Sequence, residues 1–134
     1  MKKLLLAVAT LALASGSALA QAPAPVSLHR LTAAEIRAAY VGNTAYGLGR
    51  FGPKSFESYF APDGQVRMRS PDITENGTYR ITDDDMYCSK YQTIRGGVDT
   101  CQTVYQTGPN AYEVHPAIGP IVKVTIVPGN PDGL

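Results

Sequence analysis

The chain has 134 residues, with 12 basic and 11 acidic side chains, two cysteines, eight tyrosines and no tryptophan. A formal net charge of +1 excludes nucleic-acid or anionic-membrane binding driven by bulk charge. The length suits one domain.

Met1 to Ala20 reads as a signal peptide: Lys2 and Lys3, an apolar run from Leu4 to Leu13, then Ala18-Leu19-Ala20 with the cut between Ala20 and Gln21. The run is shorter than the roughly 20 apolar residues that span a bilayer, so stable membrane insertion is not expected. Cleavage would take two of the twelve basic residues and leave 114 residues at net charge −1. A periplasmic or secreted protein is therefore expected, with residues 21–30 an Ala/Pro linker, 31–128 a single domain and 129–134 a tail.

The first element predicted is a helix from Ala33 to Val41. Thr32 and Glu35 form a capping box, bracketed by Leu31 and Ile36 as a hydrophobic staple, and Gly42 supplies a left-handed cap. Ile36, Ala39 and Tyr40 share a face, which must lie on a sheet because so short a helix does not persist alone.

Beyond the helix the periodicity becomes two. Thr44 to Phe51 sets Tyr46, Leu48 and Arg50 on one face and Ala45, Gly47 and Gly49 on a nearly bare one. Ser55 to Phe60 carries Phe56 and Phe60 on one face, and Pro62-Asp63-Gly64 turns the chain. Gln65 to Ser70 turns Val66 and Met68 inward and Arg67 and Arg69 outward. Glu75-Asn76-Gly77 reads as a further turn, and Thr78 to Ile81 as a strand with Arg80 outward. After Asp83-Asp84-Asp85 come the segment Met86 to Gln106, a strand Ala111 to His115, and the β-branched run Ile121 to Val127, which should be central or barrel-closing.

Met86 to Gln106 holds Cys88 and Cys101 on either side of Gly96-Gly97 and reads as a disulfide-stapled hairpin. A two-residue turn at the glycines would set Cys88 opposite Tyr105, four residues or roughly 13 Å from Cys101. A disulfide tolerates at most about 7 Å between Cα atoms. The bridge therefore demands that Cys88 face Cys101, with Lys90 opposite Asp99 as an ion pair and Tyr91 to Val98 as the loop.

About eight short strands joined mostly by tight turns predict a mainly β protein: an antiparallel meander forming a small lipocalin-like barrel, with one short N-terminal helix over a mouth or face. A two-layer sandwich is the alternative. Any ligand inside would be modest in size, and a lumen filled by side chains is the competing expectation.

The run Leu31 to Ile36 leading to Gly42-Asn43-Thr44, then Tyr59 to Gly64, Gly77 to Ile81 leading to Met86-Tyr87-Cys88, and Thr125 to Pro131, together resemble a group of small exported proteobacterial proteins of unknown function. The resemblance covers most of the chain after the signal. It implies a periplasmic β-rich domain and transfers no functional residue.

No catalytic, cofactor-binding or metal-binding residue is assigned. His29 and His115 lack partners at metal-ligand spacing, and Asp83 to Asp85 lack the spaced oxygens of a calcium loop. No serine sits in a nucleophile-elbow motif. Two surfaces remain: the tyrosines, which suit contacts or cavities, and Arg67, Arg69 and Arg80, whose guanidiniums could hold an anion. The expected function is a non-enzymatic binding or interaction module, an inhibitor or buffer of an envelope component, with an envelope protein or small anionic ligand as partner, no nucleic acid and no cofactor. A small-molecule or lipid carrier is the alternative. An envelope hydrolase comes last, and its sign would be His115 bonded to a carboxylate or hydroxyl inside a cleft.

Overall fold

The computed structural model describes residues 28–49 and 52–134, the side chains of 49 and 52–54 excepted. The expected signal peptide, its Ala20–Gln21 cut and residues 21–27 of the linker lie outside the described residues. In chain order the elements are β1 (His29–Arg30), α1 (Ala33–Tyr40), β2 (Asn43–Gly49), β3 (Gly52–Phe60), β4 (Gln65–Arg69), β5 (Thr74–Thr82), β6 (Met86–Tyr91), a 3-10 turn (Ile94–Gly97), β7 (Thr100–Gly108), β8 (Ala111–Pro116) and β9 (Val122–Pro128).

Strands β2 to β9 each pair antiparallel with their successor, and β9 returns to β2, with Thr44 opposite Val127 and Tyr46 opposite Thr125. The result is a closed eight-stranded meander barrel with one short helix. Alternation puts Ala45, Phe60, Val66, Val104, Val114, Val124 and Ile126 into the interior, where all are buried. Phe60, Ile126 and the valines each contribute about 1.5–3 kcal/mol when fully withdrawn from water. The nearly bare face of β2 is thus its inward face.

Helix α1 plugs one end. Thr32 Oγ1 accepts from the Glu35 amide (3.3 Å) while Glu35 Oε2 accepts from the Thr32 amide (2.8 Å), which completes the capping box. The Thr32 amide, then His29 and the Thr32 hydroxyl, pull the Glu35 carboxyl down to about 2. Asp85 Oδ1 accepts from the Ala33 amide at 2.6 Å, so the acidic turn at 83–85 serves the first turn of the helix. Leu31, Ile36 and Tyr40 are buried, and the Tyr40 ring meets Phe60 edge-on at 5.0 Å and Tyr87 at 5.1 Å. Gly42 adopts φ +78 as the chain leaves the helix.

The structure departs from the sequence reading in three places. His29 and Arg30, assigned to the linker, extend the edge of β7 opposite Gln106 and Tyr105. Glu75-Asn76-Gly77 is not a turn but lies within β5, and the chain reverses at 70–73, where the Ser70 amide donates to Ile73 O. Gly77 is needed there for close approach: a Cβ would come within 2.3 Å of Lys90 O on the neighbouring strand. Third, Asp99 pairs not with Lys90 but with Arg80, which reaches across β6 to it in a bidentate contact (2.9 and 2.7 Å). A planar guanidinium fork matches a carboxylate better than an ammonium does.

Strands β6 and β7 pair over three positions only: Tyr87 with Gln102, Cys88 with Cys101 and Ser89 with Thr100. This is the register that the cysteine geometry requires, and the two sulfurs lie at bonding distance. So short a ladder leaves the staple to hold the strand pair in place. A ring of this size constrains the unfolded chain by about 3 kcal/mol, so the Cys88→Ser/Cys101→Ser double variant should melt roughly 10–15 °C lower. Calorimetry checks it, and an unchanged midpoint would show that the bridge adds nothing.

Candidate functional site

A cavity of about 150 Å³ occupies the lumen, reaching from Tyr40 at the helix end to Ile94 and Arg95 in the loop between β6 and β7. Its wall is largely apolar, with Ala45, Phe56, Phe60, Met68, Val114, Val122 and Val124. The room exists because β2 offers almost no side chain there. Phe56 lies directly over Gly47, where a Cβ would stand 1.9 Å from the ring. The glycine lets the ring lie along the wall instead of across the lumen.

A polar strip runs through this wall. Ser58, Ser89 and Gln102 are 4%, 3% and 3% exposed, too buried to be solvated from outside. Gln102 Nε2 donates to Ser89 Oγ at 3.4 Å, and Arg95 Nη2 donates to Gln102 Oε1 at 3.3 Å. Ser58 stands beside the Tyr91 phenol. Burial pushes the phenols of Tyr40, Tyr87 and Tyr91 upward, so these rings stay neutral. The Tyr40 hydroxyl is buried with no hydrogen-bond partner. An orphaned buried donor costs about 1–3 kcal/mol.

Glu75 governs the loop at the other end. It is 5% exposed, and its carboxylate accepts from the amides of Thr93 (3.0 Å) and Ile94 (3.2 Å) and from the Thr93 hydroxyl. Burial pushes its pKa up, but the hydrogen bonds from Thr93, Ile94 and Gln92 outweigh burial and bring it below the ordinary value of 4.5. The carboxylate fixes the backbone leading into Arg95, which sits in the left-handed region at φ 55, ψ 31. Such a conformation in a non-glycine residue persists where its surroundings impose it.

The residues singled out from the sequence lie elsewhere. Cys88 and Cys101 are on the outward phase of the wall. Arg67, Arg69 and Arg80 are exposed on the exterior but do not converge: Arg67 faces Asn76, and Arg80 lies four residues further along β5, roughly 13 Å away. Arg69 holds Glu57, Arg80 holds Asp99, and Arg67 has no ion pair among the described residues. His115 does meet a carboxylate, Glu113 Oε2 at 3.2 Å, with its ring against Tyr105 at 4.5 Å. That pair is on the outward phase of β8, away from the lumen. His29 meets Glu35 at the exposed helix start. Among the described residues one group has metal-ligand proximity, Cys88, Asp99 and Cys101, and its sulfurs are committed to each other.

The lumen's polar residues went unassigned in the sequence reading, although a signal for them was present. Ser58 falls between Phe56 and Phe60, Ser89 between Tyr87 and Tyr91, and Gln102 two residues before Val104, each on the inward phase of its strand. A polar residue in an apolar phase marks an interior polar site. The chain matches no family model, no curated protein and no solved structure.

The Glu75 latch carries a pH dependence. Because its folded pKa is depressed, the contacts to Thr93 and Ile94 are intact above the ordinary carboxylate value and are lost as pH falls through the folded one. Hydrogen-exchange protection of the Thr93 and Ile94 amides, corrected for intrinsic rates, should fall on acidification before that of Val104 in the core. Glu75→Gln should lower the same two amides' protection already at neutral pH. Equal loss at all three amides would mean that the loop is not held locally.

Proposed function

We propose that this protein is a non-enzymatic binding module whose barrel lumen holds one small, mostly apolar molecule. The observation that carries this reading is the cavity of about 150 Å³ lined by a side chain, Tyr40, whose buried hydroxyl has no partner. Cavities of this size in apolar surroundings accept a benzene-sized guest, and an eight-stranded barrel is about the smallest that leaves such room. A long acyl chain exceeds it, so the carrier reading narrows from lipids to single rings or short branched chains. An exported location fits, since a disulfide persists in oxidising compartments and no described helix is long and apolar enough to cross a membrane. Recognition of an anionic envelope partner by Arg67, Arg69 and Arg80 has less support, because two of these arginines already hold carboxylates.

Burying six ring carbons at about 0.8 kcal/mol each gives about 5 kcal/mol, which corresponds to a Kd on the order of 0.1–1 mM. Toluene should therefore bind in that range by ligand-observed NMR, while a two-ring analogue such as naphthalene should not. Gly47→Ala, which drives Phe56 toward the lumen, should lose toluene binding and cost about 1–3 kcal/mol of stability. Undiminished toluene binding by a folded Gly47→Ala variant, or no toluene binding by the parent, would refute the lumen as the site.

A further inference from the structure

We infer that the lumen's ligand is a small monocarboxylic acid with an aromatic or branched body, its carboxylate held by Arg95 and Gln102 and its body in the apolar wall; this rests on the lumen reading above. Among the described residues Arg95 is the one cationic side chain lining the cavity. It differs from Arg69 and Arg80 in having no carboxylate within ion-pair distance among the described residues. Its recorded side-chain partner is the neutral amide of Gln102, at 3.3 Å. A guanidinium offers five donors in a fork that matches a carboxylate, so most of that capacity faces the cavity or solvent.

The buried carboxylate that holds this loop does not pair with Arg95. Glu75 spends its oxygens on the amides of Thr93 and Ile94 and on the Thr93 hydroxyl. It thereby fixes the loop and makes no ion pair with Arg95. A positive charge at the rim of an apolar cavity selects a ligand with one anionic end.

The test is calorimetric titration of the protein at neutral pH with toluene and benzoate. Charged hydrogen bonds add enough to make benzoate at least about tenfold tighter than toluene, and that margin should shrink as salt rises. Arg95→Gln should abolish the margin while leaving toluene unchanged. If toluene binds and benzoate binds no tighter, the acid is not the ligand class; if the advantage of benzoate survives both salt and Arg95→Gln, Arg95 does not hold the carboxylate; in either case this inference fails and the lumen reading stands. If neither binds, the lumen reading fails and this inference with it.

Discussion

Closure of the sheet by β9 against β2 is the constraint on which the rest of the structure depends. Once Asn43 to Leu48 pair with Lys123 to Pro128, no barrel edge is left unpaired, every inward residue faces a shared axis, and the interior has a fixed diameter. The volume inside is then decided by which side chains project into it. β2 contributes Ala45 and Gly47, and the space they leave is what Phe56 and the cavity share. A larger residue at Gly47 would trade the cavity for a packed core.

The two ends of the barrel are treated differently. At one end α1 inserts Ile36 and Tyr40, and the cost of burying the Tyr40 hydroxyl is outweighed by its ring contacts with Phe60, Tyr87 and Tyr112. Offset and edge-on aromatic pairs add about 0.5–1.5 kcal/mol each beyond area. At the other end the loop from β6 to β7 is held by one buried carboxylate instead of by packing. That arrangement gives a stable plug opposite a loop whose position depends on a few hydrogen bonds. The arginine pairs on the outer wall contribute little by comparison, since exposed ion pairs are worth about 0–1 kcal/mol.

Much of the fold was legible because local chemistry and global geometry agree. The capping box at Thr32 and Glu35, the left-handed Gly42, the period-two alternation and the terminal β-branched strand each have a local cause that the barrel preserves. The cysteine register was legible because disulfide geometry admits one alignment of Cys88 and Cys101. Glu75-Asn76-Gly77 misled because its turn composition has a tertiary origin: Glu75 is there to hold a distant loop, and Gly77 to admit Lys90 O. Asp99 chose Arg80 over Lys90 because a partner two strands away cannot be seen along one hairpin. The site was least legible, since Arg95 belongs to it only by virtue of a loop conformation imposed by Glu75, while the outward arginines were visible from alternation alone.

The lumen is a largely apolar cavity and not a filled core. This is tested most directly by diffraction from a crystal equilibrated under xenon, a guest that needs no polar contact and fits cavities of this size. A xenon site is expected inside the barrel, among Phe56, Phe60, Val114 and Val124. A lumen without xenon, closed by rearranged side chains, would contradict it.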